Sequence, residues 1–176
     1  MLDEQKEYDN VKKELEVSLE IVRKGSNILY VAVTAVLAWS VTTLNAVLSL
    51  LAYCVIIPLY FIIVNYNTHS MKLGAYLLIF HNDKWEERLH KINNKKSIKR
   101  YALSYRMPFI YASIASTTLF FVLLDYNVIS ILEIIQVVIC IVLLLGFNTY
   151  VFWQKDNDTI KQIYIDAWTD IKKEEK

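Results

Sequence analysis

The sequence predicts an all-α protein: a four-span transmembrane helical bundle with cytoplasmic amphipathic helices at its head, centre and tail. Three observations predict it. Charge is segregated, with no Asp, Glu, Lys or Arg from Gly25 to Met71, from Met107 to Leu124, or from Ile134 to Gln154. Those runs are long enough for a bilayer core about 30 Å thick, which takes roughly 20 apolar helical residues. They also lack the polar face that recurs along core helices of soluble proteins.

The first run is too long for one crossing. Residues 28 to 66 as a single helix would measure close to 60 Å at about 1.5 Å per residue, so it must fold back. The polar cluster near its middle, Thr42–Asn45, is the expected turn. The spans then fall near 28–43, 46–65, 108–124 and 129–152, and the second far-side connection is Asp125–Val128.

Orientation follows from the basic residues. The head (1–27) holds five Lys and Arg, the centre (66–107) nine and the tail (153–176) five, whereas the far-side turns hold none. Both termini and the centre are therefore expected in the cytoplasm. The organisation reads as a head helix 1–27, a hairpin 28–66, a basic segment 67–107, a hairpin 108–153 and a tail helix 154–176. Residues 1–26 are charged throughout and do not form a cleavable leader. Abundant Ile, Asn and Lys suggest a bacterial source, hence a multi-pass protein of the inner membrane.

The cytoplasmic pieces carry apolar seams. In the head, Tyr8, Val11, Leu15, Ser18 and Val22 recur at steps of three and four, a coiled-coil-like spacing too short to stand alone. In the tail, Ile160, Ile163, Tyr164, Ala167, Trp168 and Ile171 make one apolar face, with Asn157–Thr159 offering N-cap oxygens. In the centre, Leu73, Leu77, Phe80, Lys84, Leu89 and Ile92 are roughly in phase.

Lys95, Lys96, Lys99, Arg100 and Arg106 form a basic cluster. It suits attraction to anionic lipid at the membrane surface, or else an anionic ligand or phosphorylated partner. No Gly-rich phosphate loop accompanies it, and nucleic acid is not expected. Glu133 is the one acid of the fourth span, and Gln136 and Cys140 share its face. Intramembrane carboxylates mark ion paths, so Glu133 and Gln136 are pore or gating candidates, against the plainer reading of a carboxylate snorkelling at the outer edge. Pro58 lies mid-way along the second span and predicts a kink, a hinge candidate or simply a structural bend. Small residues at four-residue spacing, Thr34, Ala38 and Thr42, then Ala112 and Ser116, permit close helix contact.

Catalysis is not expected. Glu86 and His90 stand at i, i+4, but a second ligand pair is missing and His69 and His81 are isolated. No metal, cofactor or nucleophile signature appears, and Cys54 and Cys140 fall inside apolar runs. A transporter or membrane enzyme would need polar groups within several spans, and the spans offer almost none by inspection.

Residues 1 to about 93 combine an amphipathic head, a tight hairpin and the aromatic and charged stretch YLLIFHNDKWEERLH, Tyr76–His90. This arrangement resembles the small membrane effectors of bacterial nucleotide-signalling and anti-phage systems, the SLATT-type group. The likeness covers about half the chain, and the second hairpin departs from the two-span pattern. It implies an effector that oligomerises and perturbs or perforates the membrane on a cytosolic signal, and no functional residue is carried over from it. The sequence thus points to a non-enzymatic, homo-oligomeric sensor or pore-type effector whose partners are the bilayer, its own copies and a cytosolic protein or ligand. The alternative is a passive anchor for a cytosolic protein; a small transporter is third.

Overall fold

In the computed structural model the described residues are 2–81, 105–124, 130–155 and 157–174, with Asp83, Glu87 and Lys91 besides. Among them the protein is entirely helical, without a strand. The helices are α1 (Leu2–Thr43), α2 (Ala46–Leu50), α3 (Tyr53–Phe80), α4 (Met107–Leu123), α5 (Ile131–Trp153) and α6 (Asn157–Glu174). Three stretches are long and apolar enough to cross a membrane: Glu4–Thr43, Ala46–Phe80 and Ile131–Trp153. The 17-residue α4 is apolar but shorter.

The first apolar run does turn back at the polar cluster. Helix α1 ends at Thr43, and the Thr43 hydroxyl bonds back to the Trp39 carbonyl at 2.8 Å. Asn45 then N-caps α2, its side-chain oxygen accepting from the Val47 N–H at 3.0 Å. With Asn45 held extended by that cap, the left-handed position falls on Leu44, at φ 51°, a conformation that costs an ordinary residue about 1 kcal/mol. The buried Ser40 hydroxyl closes the turn on the Asn45 carbonyl at 2.7 Å.

Two features of these runs come from the backbone. The head and first span are one helix, since nothing between Lys24 and Ile28 removes a donor or forces the backbone out of the α region. The break in the second run comes before Pro58 rather than at it. Between Leu51 and Val55 the ladder tightens to i→i−3 bonds, such as Cys54 N–H to the Leu51 carbonyl at 3.0 Å and Val55 to Ala52 at 3.0 Å. Proline crowds the carbonyl four residues earlier and gives it no donor. The tightened turn lies N-terminal to that carbonyl, and α3 continues through Pro58.

The chain divides into two compact units. The first comprises Met1–Lys24, Ile63–Ser104 and Lys155–Lys176. Its described helices are the start of α1, most of α3 and α6. Tyr8, Val11, Leu15, Ser18 and Val22 all turn inward, Ser18 being fully buried. The Tyr8 hydroxyl donates to Asp83 at 2.7 Å, His69 Nε2 pairs with Glu14 at 2.9 Å, and the Tyr76 hydroxyl bonds Glu7. On the α6 side, Asn67 Nδ2 donates to Asn157 Oδ1 at 3.0 Å and the Trp168 indole N–H to the Lys72 carbonyl at 3.2 Å. Trp168 stands edge-on to Tyr76 and Phe80, with centroids 5.2 and 6.0 Å away.

Helix α6 is rotated from its expected face. Ile160, Tyr164 and Trp168 are half-buried, but Ile163, Ala167 and Ile171 are exposed and Lys161 is buried. A lysine can be buried along its stem while its head reaches an acceptor. Lys172 reaches the Ile79 carbonyl near the end of α3 and lies over the Phe80 ring, where a cation meets the negative end of the helix dipole.

The second unit comprises Gly25–Ile62 and Tyr105–Gln154. It contains three of the chain's charged residues, Arg106, Asp125 and Glu133. Here α4 packs against both α2 and α5.

Candidate functional site: a polar seam inside the apolar unit

The second unit is apolar outside, but α4 turns a polar face inward. Ser113, Ser116 and Thr117, at steps of three and one, are all buried. The Tyr53 hydroxyl of α3 lies 2.9 Å from Thr117 Oγ1 and donates to the Ser113 carbonyl at 3.1 Å. On the other side the Ser113 hydroxyl is 3.0 Å from Asn148 Nδ2 of α5, whose amide also donates to the Leu144 carbonyl at 2.8 Å. Cys140 of α5 is fully buried, with its thiol against Thr117. One group is left over: the Ser116 hydroxyl is buried and has no hydrogen-bond partner.

Towards the end of α5 the seam continues as an aromatic and amide layer. Tyr60 is fully buried, edge-on to Phe109 at 5.1 Å and Phe147 at 5.4 Å. Its hydroxyl donates to Gln154 Oε1 at 2.9 Å, and the Gln154 amide donates to the Tyr150 hydroxyl at 3.1 Å. Arg106 closes this end. It is 2% exposed, and its guanidinium donates to the Val151 carbonyl at 3.3 Å and the Gln154 carbonyl at 3.1 Å. The Arg106 Nε also donates to the Tyr105 hydroxyl at 2.9 Å. Arg106 precedes Pro108 in the first turn of α4, so the start of one helix supplies the cation that caps the carbonyls at the end of its neighbour.

The opposite end of the unit holds a cavity of about 380 Å³. Its lining includes Thr43 and Asn45 of the first turn, Ser130, Glu133 and Gln136. Glu133 is in the first turn of α5 as half of a capping box. The Ser130 side chain accepts from the Glu133 N–H at 3.4 Å, and the Glu133 carboxylate accepts from the Ser130 N–H at 2.7 Å. A carboxylate there also meets the positive end of the helix dipole.

The structure therefore brings Glu133 and Gln136 to one cavity, while Pro58 is exposed on α3 and is not part of that lining. Arg106 is separated from the surface role considered for the basic cluster, because its guanidinium is buried on helix carbonyls. Lys95, Lys96, Lys99 and Arg100 lie outside the described residues, as do Glu86 and His90. Among the described residues no group of three or more His, Cys, Asp or Glu is placed to hold a metal ion.

This seam departs from the expectation of spans almost without polar groups. Hydroxyl, amide and thiol groups of three helices do meet inside the apolar unit. Each is a weak signal alone, and the detectable trace is the Ser113, Ser116, Thr117 face on α4. The interior portion carries no charged side chain, and its groups are mostly satisfied by one another. Such bonds hold membrane helices together, at roughly 0.6 kcal/mol each and up to about 1.7.

No protein-family model matches the chain, and neither does any curated protein or solved structure.

Proposed function

We propose that the chain is a non-enzymatic, multi-pass membrane protein that works as a homo-oligomeric sensor and effector. A polar helical unit takes the signal and an apolar unit changes the membrane. One observation carries this reading: α1 and α3 each belong in part to both units, and neither helix breaks where the units divide. A helix about 63 Å long, as α1 is at 42 residues, is stiff enough to pass on a tilt or a turn.

Four crossings suit the chain best. The charge-free part of α1, Gly25–Thr43, measures about 28 Å, and α4 about 26 Å, the short end of the spanning range. An even count keeps all three basic segments, both termini included, on the cytoplasmic side. Of the most apolar window of α5, 11% is buried within the chain, which leaves a face open to lipid or to a second copy. The polar seam is mostly closed by its own hydrogen bonds and its interior portion carries no charge, so a pore belongs between copies rather than within one. The arrangement-level resemblance to small bacterial membrane effectors, with anti-phage defence among their roles, points the same way.

The test is the protein mass in mild detergent by light scattering, together with ion leak from cells expressing the chain. A defined oligomer with leak on stimulation is expected. A monomer without leak would overturn the proposal and leave a passive anchor, a reading favoured by the exposed Ile163, Ala167 and Ile171 face of α6.

A further inference from the structure

Between α4 and α5, within the apolar unit, runs a cleft of about 650 Å³. This is the size of a small-molecule site, for which about 300–1,000 Å³ is usual. Its walls are Ile110 and Ile114 on α4 and Leu144, Leu145, Asn148, Thr149, Phe152 and Trp153 on α5. From Leu144 to Trp153 it extends about 13 Å along the helix.

Its chemistry is graded. Trp153, strongly exposed, stands at one end; tryptophan is the residue of membrane–water interfaces. One turn further in comes Thr149, whose hydroxyl has no partner among the described residues. Asn148 supplies no free group, since its amide is bonded to Ser113 and the Leu144 carbonyl. Beyond it the lining is Ile114, Leu144 and Leu145 alone. Phe152 lines the cleft beside Trp153, so the order is an aromatic end, then one hydroxyl donor, then pure hydrocarbon, which matches the interface, ester carbonyl and acyl chain of a glycerolipid.

We propose that this cleft is a binding site for one bilayer glycerolipid, its acyl chain lying along Ile114 and Leu145 and its ester carbonyl accepting from the Thr149 hydroxyl. The proposal rests on the chain being a membrane protein and is independent of its oligomeric state.

Native mass spectrometry tests it, on protein reconstituted in vesicles of phosphatidylethanolamine and phosphatidylglycerol and then extracted in mild detergent. The wild type should retain one lipid per chain. Leu145→Trp, which fills the cleft, should abolish retention. Thr149→Val keeps the shape but loses one hydrogen bond, worth about fivefold in occupancy, and decides the matter even if Leu145→Trp fails to fold. Val142→Trp, on the exposed side of α5 but outside the lining, should leave retention unchanged. Equal retention by Thr149→Val and the wild type would overturn the proposal, as would a lipid-free wild type. So would a Leu145→Trp protein that turns monomeric while keeping its lipid, since a second copy would then be the occupant. The same spectra report the number of chains, so a lipid-bearing monomer would sink the oligomeric reading and leave this one standing.

Discussion

The two units solve the same problem, holding helices together, with different chemistry. In the first unit the ties between helices are mostly charged or aromatic and water-accessible, as in Tyr8 to Asp83, His69 to Glu14 and Trp168 on Tyr76 and Phe80, with the neutral pair Asn67 and Asn157 besides. In the second they are neutral and buried: Tyr53 to Thr117, Ser113 to Asn148, Tyr60 to Gln154. On the proposed membrane placement, the difference follows from the surroundings. Where water covers the surface, a charge keeps most of its hydration, and an exposed pair contributes little beyond orientation. Inside an apolar shell an unpaired polar group has no water to fall back on, so small hydroxyls and amides that satisfy one another are the workable glue. Arg106 departs from that pattern, tolerated because helix carbonyls replace the water around its guanidinium.

That contrast makes Arg106→Ala the largest expected effect. It strips a charged donor from the Val151 and Gln154 carbonyls and empties a buried volume. A loss of about 3 kcal/mol is expected, the upper range for a hydrogen bond to a charged group, read as a lowered midpoint of unfolding in a denaturing-detergent titration. A change near zero would mean that the end of α5 is capped by other means.

Within the seam, Tyr53→Phe should cost about 1 kcal/mol in the same titration, since it removes the hydroxyl shared by Thr117 and the Ser113 carbonyl. Ser116→Ala is the counterpart, deleting a buried hydroxyl that has no partner, and should be neutral or slightly stabilising. If both variants lose stability equally, the hydrogen bonds of the seam are not what distinguishes its residues.

The smallest effect belongs to the first unit. The bond from Tyr8 to Asp83, followed by partial burial, raises the Tyr8 phenol above its ordinary value of 10.0, against a smaller opposing pull from Lys12. A group raised on folding contributes stability that is whole below its unfolded value and is lost as pH climbs through the folded one. Thermal unfolding compared at roughly pH 8 and roughly pH 11 should show a modest alkaline loss in the wild type and a smaller one in Tyr8→Phe. Identical alkaline losses would remove Tyr8 from the account.

Part of the candidate site was readable in advance. The Ser130-Ile-Leu-Glu133 stretch carries the pattern of a capping box, a simpler role for Glu133 than gating and one that the focus on an intramembrane carboxylate hides. The inward seam of the head, from Tyr8 to Val22, follows directly from spacing. The tail face does not. Its apolar spacing names Ile163, Ala167 and Ile171, yet they are exposed while Lys161 is buried, because the packing of this helix on its neighbours, which spacing alone does not carry, fixes its rotation.

Local chemistry along the chain was enough to give the apolar runs helical structure, to mark the reversal near Asn45 and to set the ends of α4 and α5 to within a residue or two. Hydropathy, helix rise and turn chemistry act over a few neighbouring positions, so a linear string contains them. The meeting of Tyr53 with Thr117 spans 64 positions, Ser113 with Asn148 35, and Arg106 with the Gln154 carbonyl 48. None of those pairings has a local signature, because each depends on which faces three separate helices turn toward one another. Only packing in three dimensions decides that.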